Sequence, residues 1–273
     1  MPATPSPSRY WADHTTESIA QMDRERLIAV LPIAATEQHG PHLPLSTDTT
    51  IVDGIVRAAL PKLPADLPVL FLPTAQVGKS NEHARYPGTL TLSLATVVAY
   101  WKDLAASVAA AGVKKFVFFN SHGGQMNAMD IVTRDLRQEH GILVVASNWM
   151  TLGLPPGVVD AHELAHGIHG GMLETSLMMA LAPEHVRLER RQRFGSLTET
   201  LARENQFLSI TPRGKIGWQT QDLNPLGACG DAAGATAETG HAVLDFVASR
   251  FVELLQEVDA FALARLANAP AWR

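Results

Sequence analysis

The chain has 273 residues, 46% of them hydrophobic and 18% charged, with a net charge of −5 at pH 7. This composition is typical of a globular protein with a sizeable core, and it excludes a disordered chain and a basic nucleic-acid-binding surface. The single cysteine, Cys229, excludes an internal disulfide framework, and no stretch approaches the roughly 18 consecutive apolar residues of a membrane span. We therefore expect a soluble, cytoplasmic protein.

Apolar stretches with strand and helix periodicity alternate along the chain. Residues 1–25 are expected to form a Pro- and Ser-rich leader and a first helix, and residues 26–273 a single domain. Strands are predicted at 26–35, 68–73, 114–120 and 141–147, and helices at 49–63, 94–112, about 125–139, 172–183 and 241–266. Residues 148–170 are expected to be irregular. This alternation predicts an α/β fold, in which helices cover both faces of a mainly parallel sheet.

The first predicted strand leads into TEQHGPHLPLSTD (36–48), which contains Glu37, His39, His42 and Asp48. Ligands bind outside the carboxyl ends of strands in such sheets, so this loop stands where sites occur. Glu37 and His39 are two residues apart, which puts both side chains on one face of an extended segment. Histidine with carboxylates favours Zn²⁺, Mn²⁺ or Fe²⁺ over Ca²⁺. The alternative interpretation is an ordinary polar turn.

A second strand end carries FNSHGGQMN (119–127), with His122 followed by Gly123 and Gly124. The glycines allow the backbone to approach a ligand closely. No phosphate loop is indicated, because the Walker pattern and its lysine are missing. A glycine turn with an incidental histidine is the alternative.

The third cluster is HELAHGIHGGMLETS (162–176). His162, Glu163 and His166 match the H-E-x-x-H pattern of zincin metalloproteases. The glycines after His166 are, however, expected to break the helix on which that motif depends. Glu174 indicates a site better, because a carboxylate on an apolar helix face needs a partner, and a metal ion would serve.

Together with GKSNEHARYPGTLTL (78–92) and GDAAGATAETG (230–240), these motifs resemble the creatininase (creatinine amidohydrolase) family, in the same order along the chain. The resemblance extends from about residue 27 to residue 240. It implies a three-layer α/β/α fold, a dinuclear metal centre with Zn²⁺, Mn²⁺ or Fe²⁺, and a homo-oligomer, often a hexamer.

The resemblance also implies a ligand set. Glu37 and His122 would bind one metal ion, His39 the other, and Asp48 would bridge the two. Creatininases proper have a glutamate at the position of Gly124, so we infer that Glu174 supplies the missing carboxylate. The usual asparagine after this motif is Gln125 here, a change expected to affect substrate contacts.

His169 matches a family histidine and is a candidate for proton transfer, with Glu174 as the alternative if it is not a ligand. His162 and His166 have no counterpart, and are interpreted as loop or pocket-rim residues. Candidate substrate contacts are Ser80, Glu82, His83, Gly123, Gly124, Trp149 and Trp218, although a loop held by its own hydrogen bonds explains residues 80–83 equally well.

The function predicted from these residues is hydrolysis of a C–N bond in a small, possibly cyclic, amide through a metal-activated water. Because Gly124 replaces the glutamate of creatininases proper, hydrolysis of creatinine itself is less favoured than the activity of another member of the family. Deformylation of a formamide and trimming of a peptide are alternatives within the family. A metal-binding protein without catalysis is the alternative from another class, and a dinucleotide site is disfavoured because no glycine-rich phosphate loop follows the first strand.

Overall fold

A four-stranded parallel sheet forms the centre of the computed structural model, which describes residues 8–210, 213–267 and 269–272. The strand order is β2-β1-β3-β4, with β1 at Ile28–Ile33, β2 at Val69–Phe71, β3 at Lys115–Asn120 and β4 at Leu143–Asn148. A two-stranded antiparallel pair, β5 (Arg193–Phe194) and β6 (Gly230–Asp231), lies in the later part of the chain. The α-helices are α1 (Thr16–Gln21), α2 (Thr47–Ala59), α3 (Leu94–Ala110), α4 (Met126–His140), α5 (Ala161–His166), α6 (Met172–Leu181), α7 (Leu197–Glu204), α8 (Thr220–Leu223) and α9 (Ala237–Ala260).

Alternating side chains of each central strand enter two separate cores. In β3, Val117 and Phe119 join the core beneath α2, α6 and α9, whereas Phe116 and Phe118 join the core beneath α3 and α4. The period of two along a strand produces this division, because successive side chains point to opposite faces. The predicted three-layer α/β/α fold with a mainly parallel sheet is thereby confirmed.

Several segments differ from the sequence prediction, among them α7 and α8, which lie where no helix was predicted. Residues 148–170 include the short helix α5, which ends at His166 just before Gly167. The C-terminal helix α9 starts at Ala237 and ends at Ala260, earlier than predicted at both ends. The expected leader falls partly outside the described residues, at 1–7, but Arg9 accepts a hydrogen bond from the N–H of Phe71 (2.8 Å) and so lies against β2.

No helix in the described part of the chain combines the length and apolar character needed to cross a membrane.

Candidate metal centre

The carboxyl ends of β1 and β3 lie side by side. Ile33 pairs with Asn120 in the sheet register, so the loops that follow the two strands emerge together. Ser121 joins them to α2: its N–H donates to Ile33 O (3.1 Å), and its hydroxyl donates to Asp48 O (2.8 Å). The sheet therefore brings residues separated by more than seventy positions to one place.

Four predicted ligands meet at this edge of the sheet. His122 Nδ1 lies 3.2 Å from Glu37 Oε1 and 3.5 Å from Asp48 Oδ2. His39 Nε2 lies 3.5 Å from the other Asp48 oxygen. All four side chains are buried. Asp48 thus stands between the two histidines, with one oxygen facing each.

Glu174 reaches the same place from the first turn of α6. One of its oxygens, Oε2, accepts a hydrogen bond from the N–H of Gly170 (2.6 Å) and lies 3.9 Å from His39 Nε2. A carboxylate in the first turn of a helix is favoured by the helix dipole. The structure therefore brings the distant glutamate to the side of Asp48 that His39 faces.

These donor atoms form overlapping groups. The atoms of each group lie within 4.8 Å of one another, and the groups are Glu37–Asp48–His122, His39–Asp48–Glu174 and Glu37–His39–His169. Two of them share Asp48.

Backbone carbonyls set the tautomers of three site histidines. His39 Nδ1 donates to Glu37 O (3.0 Å), and His122 Nε2 donates to Lys79 O (3.0 Å). His169 Nε2 likewise donates to Gln38 O (2.7 Å). Each neutral ring therefore turns its unprotonated nitrogen toward the carboxylates, as a metal ligand or a proton acceptor must.

The charges within the cluster stabilise one another. Burial alone would lower the pKa of His122 and of His39, but Glu37 raises that of His122 to about 10 and Asp48 raises that of His39 to about 9. Burial raises the pKa of Glu174 to about 7. Buried carboxylates in this number require positive charge nearby, from protonated histidines or from bound cations.

An inner cavity of about 280 Å³ opens onto the cluster. Of the predicted substrate contacts, the residues that line it are Glu82, His83, Gly123, Gly124 and Trp218. A Cβ at Gly124 would overlap the Glu82 carboxylate, so a side chain at this position would require Glu82 to move. The space next to Gly124 is thus filled by Glu82.

Two predicted substrate contacts lie elsewhere. Ser80 is fully buried and donates its hydroxyl hydrogen to Glu37 Oε2, so it orients a cluster residue instead of lining the cavity. Trp149 is fully buried in the core beneath α2, α6 and α9. The structure argues against a substrate contact for either residue, since neither side chain is accessible from the cavity.

Three further residues of the motifs also face away from the cavity. Gln125 is buried and donates to Asn120 Oδ1 (3.0 Å), so it braces the strand ends instead of contacting substrate. His166 bonds Thr198 Oγ1 (2.8 Å) through Nδ1, and His162 lies 3.7 Å from Glu199. The segment HELAH, which matches the zincin pattern, lies on helix α5, but none of its residues belongs to the donor groups found among the described residues.

Sequence reasoning missed several residues that shape the site. Asn120 holds His122, accepting from its N–H (2.9 Å) and donating to its carbonyl (2.6 Å). Gln38 is buried between two histidines. Met150 and Lys215 line the cavity. Gln38 and Asn120 carried a signal in the sequence, because they lie within the first and second motifs, whereas Met150 and Lys215 lie in none of the motifs.

Comparison with known proteins identifies relatives of this chain. The creatininase model, described as creatinine amidohydrolase, matches residues 12–255. A mycofactocin precursor peptide peptidase of Mycobacterium tuberculosis is 35% identical over 167 residues, which are 59% of this chain and 61% of that protein. A creatinine amidohydrolase of Pseudomonas putida is 31% identical over 180 residues, 60% of this chain and 67% of that protein. The match thus spans less than two thirds of the mycobacterial relative.

Solved creatininases share the fold. A manganese form and a zinc–zinc form of a variant superpose with TM-scores of 0.71 and 0.72 at 22% identity, covering 92% of this chain and 98% of theirs. The match of the family model to most of the chain decides the relationship: this protein belongs to the creatininase family, whose named members hydrolyse C–N bonds.

Proposed function

We propose that this protein is an amidohydrolase that uses two divalent metal ions to hydrolyse a C–N bond. The observation that carries the proposal is the pair of donor groups sharing Asp48: Glu37 and His122 on one side, His39 and Glu174 on the other. A carboxylate between two ligand sets is suited to bridging a metal pair. Histidine and carboxylate donors suit Zn²⁺ and Mn²⁺, and Fe²⁺ as well.

The buried polar atoms of the cluster fit this proposal. Among the described residues, His39 Nε2 and Asp48 Oδ2 are buried without a hydrogen-bond partner. Such atoms are costly unless something pairs with them. Cations held by these residues would satisfy both atoms, polarise the scissile carbonyl and lower the pKa of a water molecule at the site.

His169 is our candidate for proton transfer. Its Nε2 hydrogen bonds Gln38 O, which leaves the lone pair on Nδ1, 3.8 Å from Glu37 Oε1. Nδ1 can therefore take a proton from the attacking water and deliver it to the leaving nitrogen. Glu174 is the alternative for this step if it is not a ligand.

The space beside the cluster suits a substrate larger than a single ring. An outer cavity of about 320 Å³ adjoins the inner one, and the two share Glu82, Gly124, Asn127, Lys215 and Trp218. A small or cyclic amide would occupy the inner cavity alone. A peptide would continue into the outer cavity, along the exposed side chains of Leu94 and Ile131. Peptide trimming is therefore our second candidate function, and the mycobacterial peptide peptidase supports it.

The first experiment combines metal analysis with a substrate panel. Protein purified without chelators is analysed for metal per chain and is assayed on cyclic amides, formamides and short peptides. About two metal ions with hydrolysis of one class would support the proposal. Two metal ions without hydrolysis would favour the non-catalytic alternative, and no metal after reconstitution with Zn²⁺ or Mn²⁺ would overturn the mechanism.

The outer cavity can be tested separately. Ile131→Asp places a charge on its wall, away from the donor groups, and should lower kcat/KM about tenfold for peptides while leaving small amides unchanged. Leu188→Asp is the matched control, because Leu188 (53% exposed) and Ile131 (52%) are equally accessible and Leu188 lines neither cavity. An equal fall in kcat/KM for peptides and for small amides would contradict a role of the outer cavity in binding peptides.

The homo-oligomer and the cytoplasmic location stay predictions, the former from the family resemblance and the latter from composition.

A further inference from the structure

A fourth histidine, His83, lines the cavity beside Glu37 but belongs to none of the donor groups. Its Nε2 lies 3.4 Å from Glu37 Oε1, as close as several of the ligand contacts. Proximity alone would allow it to bind metal. The hydrogen bonding of Nδ1, on the far side of the ring, indicates that His83 is not a ligand.

The Gln38 side chain has one defined orientation. Its carbonyl oxygen Oε1 accepts a hydrogen bond from the N–H of Gly40 (2.9 Å), and its amide nitrogen Nε2 donates to Gly227 O (2.9 Å). Exchanging the two atoms would set a donor against a donor and an acceptor against an acceptor. Gly227 has φ +81°, and a Cβ there would overlap the Gln38 amide, so this packing depends on glycine.

The second amide hydrogen of Gln38 points at His83 Nδ1, 2.7 Å from Nε2 of the amide. An amide N–H can only donate, so His83 Nδ1 must accept. The hydroxyl of Thr220 lies 2.8 Å from the same nitrogen, but it donates its one hydrogen to Glu82 O (3.1 Å), so the Gln38 amide is the donor that fixes Nδ1 as an acceptor. A neutral imidazole that accepts at Nδ1 carries its hydrogen on Nε2, the nitrogen that faces Glu37.

This arrangement is the reverse of that in His39, His122 and His169. Their outer nitrogens donate to backbone carbonyls, which leaves a lone pair toward the carboxylates. We propose that Gln38 is a positioning residue that holds His83 in the Nε2–H tautomer, making His83 a hydrogen-bond donor at the cavity wall instead of a metal ligand. The catalytic part of this inference rests on the proposed function, but the tautomer does not.

The ¹⁵N NMR shifts of the His83 ring test the inference directly. They are measured on Zn²⁺-loaded protein, because Zn²⁺ is diamagnetic, and are assigned by their loss in His83→Gln. The expected result is an unprotonated Nδ1 and a protonated Nε2. A protonated Nδ1, or a ring protonated on both nitrogens at neutral pH, would overturn the inference without any Gln38 variant.

Gln38→Glu then tests the cause. A carboxylate accepts where the amide donates, so His83 should move its hydrogen to Nδ1, and kcat should fall about 100-fold with little change in KM. Gln38→Glu and His83→Gln should both keep the metal content of the parent. An unchanged tautomer in Gln38→Glu, or loss of metal in His83→Gln, would contradict the proposal. Absence of metal from the parent would count against the proposed function only, since the tautomer can still be read.

Discussion

Glu174 is far in sequence from the other candidate ligands, yet its carboxylate lies 3.9 Å from His39. Glu82 provides a close comparison. It also lines the cavity, and its Oε1 lies 3.5 Å from His122 Nε2, which is the ring nitrogen that faces away from Asp48. Buried Glu82 and partly buried Glu174 thus line one cavity but face different histidines, and only Glu174 lies on the side of its histidine that faces Asp48.

We expect Glu174→Ala to reduce the metal content from about two ions per chain to about one, because it removes one side of the His39–Asp48–Glu174 group. Elemental analysis of the purified variant measures this. Glu82→Ala is the control and should keep both metal ions. Equal metal content in Glu174→Ala and the parent would refute the ligand assignment while leaving the hydrolase proposal intact.

His42, in the first motif, is fully buried next to α6 and bonds Thr175 Oγ1 (2.9 Å) through Nε2. Burial lowers the pKa of His42 from 6.5 to about 4. The unfolded chain therefore binds a proton between these values and the folded chain does not. The free energy of unfolding should fall as the pH drops from about 6.5 to about 4, by up to about 3 kcal/mol from this residue.

Urea unfolding across this pH range, compared between the parent and His42→Gln, measures that contribution. The variant should show a shallower loss of stability on acidification. His185→Gln, at an exposed histidine, should follow the parent curve. Parallel curves for His42→Gln and the parent would contradict the prediction.

At the scale of elements, α6 and α9 pack closely where Gly240 lies against the backbone of Ser176. A Cβ at Gly240 would overlap Ser176 O, a backbone atom that cannot move aside alone. This contact matters for the site, because α6 carries Glu174 in its first turn.

Gly240→Ala should therefore lower the free energy of unfolding by about 1 to 3 kcal/mol, although alanine favours a helix more than glycine does. Thermal or denaturant unfolding checks this. Gly195→Ala is the control, because a Cβ there meets nothing within 4 Å. A Gly240→Ala variant at least as stable as the parent would contradict the prediction, because it would show that α6 and α9 can move apart without loss of free energy of unfolding.

At the scale of the whole molecule, the family resemblance predicts association of the 29.5 kDa chain into a homo-oligomer. Light scattering after size-exclusion chromatography should give a mass several times that of the chain, with six copies as the expected number. A mass equal to one chain would contradict the prediction.

The sequence by itself determined the main architecture of this protein. Strand and helix periodicity depend on short-range spacing of apolar residues, so β1, β3, α3 and α4 could be predicted within a few residues. The motifs that follow β1 and β3 could also be predicted to form a site, because parallel strands place their carboxyl ends at one edge of the sheet. Short helix α5 escaped prediction, since its glycine-rich surroundings favour a loop.

Only the tertiary structure decided the positions and contacts of individual side chains. It placed Glu174, in the first turn of α6, beside His39, buried Trp149 in the core and turned Ser80 toward Glu37. It also gave His83 a donor in Gln38, where the other site histidines have carbonyl acceptors. These outcomes depend on contacts between residues distant in sequence, and local spacing carries no information about which atoms such contacts bring together.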